Sequence, residues 1–232
     1  KDSSWGNYYV TTLHAPSPNN LKNAITYSDN VYFARSALNI GKENLFKYYK
    51  NLKIAEKIPF ELALNKSQYI NKNQKVSDQL IADSGYGQGQ ILMNPLQLAS
   101  IYSAFVNNES IYQPHIVQGQ TKTWIKNVFS KETTKTIKED LINVIADENG
   151  TGHAIYHDHV ILAGKTGTAE IKQSQSDTTG TELGWFTIMT TDEKQPILMT
   201  TVVEDVKNRG GSGYVVEHTK APLDLYLSQV SD

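Results

Sequence analysis

Cysteine is absent from all 232 residues. That excludes disulfides, cysteine-ligated metal sites and a cysteine nucleophile, and it leaves the redox compartment open, because many disulfide-free proteins of any compartment share this trait. No stretch approaches the roughly 18 consecutive apolar residues of a membrane-spanning helix, and no targeting sequence opens the chain. Neither sign of charge is in surplus: 22 Lys and Arg face 24 Asp and Glu, for a net charge of −2 and a pI near 6.3. Such a balance offers no electrostatic footprint for nucleic acid or for anionic lipid head groups. Internal repeats and low-complexity tracts are missing as well. The opening, Lys1-Asp2-Ser3-Ser4-Trp5, has no initiator methionine and is expected to be that of a fragment or cleaved product.

What is present reads as an ordinary globular composition, 39% hydrophobic and 20% charged, long enough for one large domain or two small ones. Residues 1–18 read as strand or loop, closed by Pro16 and Pro18. Asn19 or Asn20 can cap a short helix through Ala24 to Tyr27. Asn30 opens a second helix in which Val31, Ala34, Ala37 and Leu38 recur at helical spacing, with Gly41 just past its end. A third helix is expected over Glu43 to Leu52, and residues 53–75 are loop. Asn94-Pro95 is a helix start, cap then proline, with Leu98, Ile101, Tyr102 and Phe105 on one face. Ser130 can cap another helix, with Ile137, Leu141, Val144 and Ile145 in register. The last third is β-rich: a strand entered from Val160 to Ala163, then Trp185 to Thr191 and Ile197 to Val203, separated by a turn at Asp192 to Pro196. A closing helix is expected over Tyr214 to Gln229, bent or restarted at Pro222. Helices, then an antiparallel sheet, then a helix make an α+β domain, with no linker between halves.

Two short motifs carry chemistry. Ser28-Asp29-Asn30 lies between two expected helices, and Lys165-Thr166-Gly167-Thr168 lies on an expected strand. Taken singly, the first is a helix cap in a turn and the second a strand end with a glycine bend. Together and in this order they match two of the three elements of serine acyltransferases that act on D-alanyl peptides and β-lactams: S-x-x-K, S-x-N and K-T-G. The residue types suit that chemistry. Ser28 both donates and accepts, so it can pass a proton. Asn30 can donate to and accept from an amide. Lys165 supplies positive charge where an anion binds, and the Thr166 and Thr168 hydroxyls can hold a terminal carboxylate. Gly167 lets a strand lie close to a peptide backbone. A strand edge can pair with an extended peptide and leave the Thr168 N–H for an oxyanion.

The whole chain resembles the class B penicillin-binding proteins, in particular the low-affinity group that includes the methicillin-resistance protein of staphylococci. Ser28-Asp29-Asn30-Val31-Tyr32-Phe33-Ala34-Arg35 is similar to that family's S-x-N helix. Ala82-Asp83-Ser84-Gly85-Tyr86-Gly87-Gln88-Gly89, followed by Asn94-Pro95-Leu96-Gln97, resembles its glycine–glutamine loop and next helix. Gly150-Thr151-Gly152-His153-Ala154 resembles the segment before the active-site strand, Gly164 to Glu170 that strand, and Gly184-Trp185-Phe186 the one after it. The resemblance implies the penicillin-binding protein and serine β-lactamase-like transpeptidase fold, an antiparallel sheet flanked by helices. It also implies a reaction: a serine takes the acyl group of a stem peptide ending in D-Ala-D-Ala, and an amine from a neighbouring stem resolves the acyl-enzyme. By the same resemblance Ser28 relays protons, Asn30 orients substrate and Lys165 tunes the field. Thr166, Gly167, Thr168 and Glu170 line the substrate and β-lactam site, and the Thr168 N–H forms half of the oxyanion hole.

One element is missing. No serine in the chain is followed three positions later by lysine. In the family that motif precedes S-x-N, so the nucleophile is expected upstream of Lys1, together with a non-catalytic domain and a membrane anchor. Residues 1–232 are then the C-terminal portion of a transpeptidase domain, inactive alone, from a protein on the outer face of the bacterial membrane. Its expected partners are stem peptides, β-lactams, the N-terminal remainder of the same protein and a glycosyltransferase; no nucleic acid, cofactor or metal is expected. Two alternatives stay open: a β-lactam sensor, which shares the three motifs, and a D,D-carboxypeptidase or β-lactamase, which needs a positioned water and a base that the sequence does not identify. His153, His157 and His159 with Asp158 are read as a polar loop rather than a zinc site, since Gly150 and Gly152 crowd the helix an i, i+4 pair needs. Gly85, Gly87 and Gly89 lack the Lys-Ser/Thr of a phosphate loop, and Ser84 is not in a nucleophile elbow.

Overall fold

Local caps start most of the helices. In a computed structural model, which describes residues 5–172, 177, 179–192 and 196–230, the Asn20 side chain accepts from the Asn23 N–H and opens α1, Leu21–Thr26. Asp29 accepts from the Val31 and Tyr32 N–H groups and opens α2, Asn30–Ile40, which ends at Gly41 with φ of 78°. α3 follows directly, Lys42–Asn51. Ser77 caps α4, Asp78–Ser84, and Asn94 with Pro95 starts α5, Pro95–Ser103. Ser130 Oγ accepts from the Thr133 N–H at 3.0 Å at the start of α6, Lys131–Ala146. Each cap supplies a partner to an N–H group that the helix itself leaves unsatisfied.

The chain forms two compact units, Lys1–Ala15 with Asp29–Thr136, and Pro16–Ser28 with Ile137–Asp232. The first holds α2 to α5, a two-stranded ladder of β1, Ile111–Tyr112, with β2, Thr123–Ile125, and the start of α6. Residues 53–77 carry no helix or strand, only a bridge from Gln68 to Leu92. α4 meets α2 closely: a Cβ on Gly85 would lie 2.4 Å from the Phe33 carbonyl oxygen, so only glycine fits. α4 was not expected from the sequence; its seven residues bury Ile81, Ala82, Asp83 and Ser84. In α5 the deepest positions are Gln97 and Ser100, while Leu98, Ile101 and Tyr102 are half-buried. Of the expected apolar face, Phe105, just past the helix end, is the buried member.

The second unit is built on an antiparallel sheet ordered β3-β4-β5: β3, Leu162–Ile171; β4, Thr181–Thr190; β5, Leu198–Val203. Thr166 faces Phe186 and Thr168 faces Gly184 across the first pair. β4 starts four residues before the expected Trp185, because pairing with Ala169 to Ile171 extends it. The expected turn at Asp192 to Pro196 lies partly outside the described residues. α7, Ser212–Val230, runs through Pro222 as one helix. Proline removes one donor there, and the buried side chains of Val215, Val216, Leu223 and Leu227 on either side hold the helix in place. Gly184 lets α7 approach the sheet, since a Cβ there would sit 2.4 Å from Val215 Cγ2. Phe186, Ile188 and Met189 of β4 and Val144 and Ile145 of α6 are almost wholly buried, each contributing on the order of 1.5–3 kcal/mol of transfer free energy.

Candidate active site

Ser28 follows α1 after one residue and takes φ of 59°, a left-handed conformation that a residue with a Cβ adopts only under constraint from its surroundings. Lys165 lies in β3, and its Nζ donates to Ser28 Oγ at 2.8 Å and to the Thr166 carbonyl at 2.9 Å. Burial lowers the Lys165 ammonium from 10.5 to about 8, since desolvation disfavours the charged form. Two motifs 137 residues apart thus share one hydrogen bond.

Thr166 and Thr168, two apart, behave differently. Thr166 is buried and its Oγ1 donates to Thr151 Oγ1 at 2.7 Å. Thr168 is exposed, and its Oγ1 accepts from the Ser212 N–H at 3.1 Å. Gly167 stands between them with nothing closer to an added Cβ than Trp185 Cβ at 3.5 Å; packing within the protein does not require glycine here. Glu170, near the solvent end of β3, pairs with Lys172 at 2.8 Å. Among the described residues β3 has a strand partner only on its β4 side.

Asn30 belongs to the other unit, where its Nδ2 donates to the Thr11 carbonyl at 3.3 Å. In the same unit Asp83 Oδ1 accepts from Tyr86 at 2.9 Å and from Tyr8, which ties the segment before Pro16 to the glycine-rich loop. Burial, with the hydrogen bond shared with Tyr8 and the Asp83 charge, pushes the Tyr86 phenol well above its ordinary value. Ser84 is buried and donates to the Leu80 carbonyl at 2.8 Å, a helix-internal bond.

The histidines set aside as a metal site have structural partners: His153 Nδ1 meets the Ile145 carbonyl at 2.9 Å, and His157 Nε2 meets Asp224 at 2.9 Å. Among the described residues no group of three or more His, Cys, Asp or Glu is placed to hold a metal ion, and no helix is long and apolar enough to cross a membrane.

The part of the site that sequence reasoning did not assign is the loop between α6 and β3. Tyr27 donates to Asp147 Oδ2 at 3.2 Å, and its phenol is raised by desolvation and by Asp147. The Thr151 N–H donates to the Thr26 carbonyl at 3.3 Å. The only hint in the sequence was the Gly150-Thr151-Gly152 triplet.

Known proteins share this arrangement of chain. Residues 1–222 match the family model for the penicillin binding protein transpeptidase domain. Penicillin-binding protein 3 of Bacillus subtilis (strain 168) is 41% identical over 224 residues, 95% of this chain and 33% of that protein. The peptidoglycan D,D-transpeptidase MrdA of Haemophilus influenzae is 25% identical over 238 residues, 90% of this chain and 36% of its own length. The complex between penicillin-binding protein PBP2 and MreC from Helicobacter pylori superposes with a TM-score of 0.69 at 22% identity, covering 88% of this chain and 40% of that one. The chain spans about a third of the length of the curated relatives it matches.

Proposed function

Because the chain belongs to the penicillin-binding protein transpeptidase domain family, of the class B kind, we propose that it is the Ser28–Lys165 side of a serine acyltransferase that crosslinks peptidoglycan. The substrate is a stem peptide ending in D-Ala-D-Ala. A serine hydroxyl, in an S-x-x-K motif that residues 1–232 do not contain, attacks the penultimate carbonyl. The amide bond to the last D-Ala breaks, and that residue leaves as a free amine carrying the proton lost by the serine. An amine of a second stem then attacks the acyl-enzyme ester and returns the serine. β-Lactams enter the first step and stall at the ester.

The observation that carries this reading is the 2.8 Å hydrogen bond from Lys165 to Ser28. A hydroxyl held by a buried ammonium can hand its own proton to a leaving amine and be reprotonated from the lysine. Further support comes from β3. Its outer edge has no strand partner among the described residues, as peptide addition to a sheet requires, and Gly167 puts no side chain on that stretch. Thr168 is the exposed hydroxyl for the substrate carboxylate, and its N–H serves the oxyanion. Thr166 serves the carboxylate only if its hydroxyl turns from Thr151. Asn30 orients the substrate amide, and Glu170 binds further along the strand. A place on the outer face of the cell membrane, with a glycosyltransferase partner, follows from the substrate.

The test is labelling with a fluorescent penicillin, comparing the chain alone with the chain joined to the upstream segment of the full-length protein. Label on the upstream serine only is the expected outcome. Label on the chain alone identifies a nucleophile within residues 1–232 and overturns this assignment.

A further inference from the structure

Ser28, two residues past the end of α1, and Lys165 of β3 share no element of secondary structure, yet their side-chain atoms are held within hydrogen-bonding distance. A hydrogen bond of 2.8 Å between side chains from distant segments tolerates little drift, and a serine with φ of 59° needs its neighbours to keep it there. The loop at 147–152 touches both elements. On one side it takes Tyr27 OH on Asp147 Oδ2 and gives the Thr151 N–H to the Thr26 carbonyl. On the other, Thr151 Oγ1 accepts from Thr166 Oγ1 at 2.7 Å.

The loop itself is tightly determined. Asn149 N–H donates to Asp147 Oδ1 at 2.9 Å, Gly150 N–H to the Asp147 carbonyl at 2.8 Å and Gly152 N–H to the Val144 carbonyl at 3.1 Å. A Cβ on Gly150 would lie 2.4 Å from the Val144 carbonyl oxygen, and one on Gly152 2.6 Å from Ile145 Cδ1. Gly150 is thus needed for the loop to lie against α6, whereas a side chain at Gly152 would have to displace the end of Ile145.

We propose that Thr151 is a positioning residue: its backbone N–H and its hydroxyl fix the end of α1 that carries Ser28 and the strand that carries Lys165 at the separation their hydrogen bond requires. This rests on the reading of Ser28 and Lys165 as the proton-handling pair. Thr151 touches neither reacting group. It acts by holding Thr26 and Thr166, the residues two before Ser28 and one after Lys165. The hydroxyl is the separable half of this device, because the N–H survives substitution.

Two variants of the full-length protein test it. Thr151→Val keeps shape and removes the hydroxyl; Thr151→Ser keeps the hydroxyl. Thr151→Val is expected to lower the rate of acylation by fluorescent penicillin about tenfold, the rate equivalent of one lost hydrogen bond. Thr151→Ser is expected to stay within about twofold of the parent, under half of that lost bond on the same scale. The second readout is the Lys165 side-chain resonance followed by NMR titration, assigned by its loss in Lys165→Arg. In the parent it should titrate near the value of about 8 that burial sets; in Thr151→Val it should move up toward the ordinary 10.5 as the strand loosens and water reaches the amine. Equal acylation rates and equal titrations in parent and Thr151→Val overturn the proposal, and so does a Thr151→Ser variant as impaired as Thr151→Val. A parent protein that takes no label at all overturns the functional reading instead, and the titration then still decides whether Thr151 positions Lys165.

Discussion

The two units use their polar side chains for different purposes. In the sheet unit Ser28, Lys165, Thr166 and Thr151 bond to one another through side chains. In the helical unit the polar side chains mostly serve backbone. Gln97 donates to the Leu52 and Lys53 carbonyls at 3.4 and 3.0 Å, Ser67 accepts the Asn94 N–H at 2.9 Å, and Glu61 accepts from the Ile116 and Val117 N–H groups. The difference follows from regularity. A three-stranded ladder satisfies its own amides, which leaves side chains free for a site. The loop at 53–77 lacks such a ladder, so side chains within and beside it, Ser67 and Gln97, meet backbone groups across its borders, because an unpaired buried amide or carbonyl is costly.

The comparison can be broken hardest in the sheet unit. Phe186→Ala removes a ring that is wholly buried and should cost about 3–5 kcal/mol in chemical denaturation; a smaller loss means that the sheet does not depend on that packing. Lys165→Ala should leave stability nearly intact and reduce penicillin acylation of the full-length protein by roughly 100-fold or more, with unchanged labelling refuting the role of Lys165.

A pH profile sharpens the same point. The unfolded-state value of Lys165 is near 10.5 and burial brings it to about 8 in the folded protein. Between these values the unfolded chain binds more protons, so burial of Lys165 destabilises fully below about pH 8 and less as pH rises. Acylation that needs the charged lysine should therefore decline above about pH 8, and Lys165→Arg should abolish that decline, read from labelling rates between pH 6 and about 10.

In the helical unit Gln97→Leu should cost about 1–3 kcal/mol by removing a donor from the Leu52 and Lys53 carbonyls, of which the second keeps the Glu56 N–H, measured by denaturation. No loss would mean that those carbonyls find other partners. The smallest effect belongs to Glu61, whose carboxyl is held below its ordinary range by backbone N–H groups, its own first and then those of Ile116 and Val117, against a smaller opposing desolvation. Its contribution is present above the ordinary carboxylate value and lost as pH falls through the lowered one. Amide exchange at Ile116 and Val117 should quicken in Glu61→Gln at neutral pH while the global unfolding midpoint stays put.

Sequence reading succeeded where the determinant is local. Asn20, Asn94-Pro95 and Ser130 mark helix starts within three residues of the groups they cap, and the Ala34 and Ala37 spacing marks a buried face. It failed where a distant partner decides. α4 has few apolar residues and is fixed by Asp83 meeting Tyr8, 75 residues away. β4 begins early because β3 pairs with it. In α5 the innermost side chain is Gln97, since only an amide reaches the carbonyls of the neighbouring loop. The motifs named Ser28, Lys165 and the threonines as one site, but spacing alone could not give the Lys165–Ser28 bond or the unequal burial of Thr166 and Thr168. Thr151 was hidden for the same reason: its two hydrogen-bond partners, Thr26 and Thr166, come from other segments.

The separation of Ser28 from Lys165 also has a consequence for biosynthesis. At translation speeds of about 5–20 residues per second, the 137 residues between them take roughly 7 to 27 s to emerge. Ser28 and α1 are made before β3, yet the unit to which they belong is completed only by Ile137–Asp232. For that interval a nascent chain carries the serine without its lysine, and residues 16–28 wait for the strand that completes their unit.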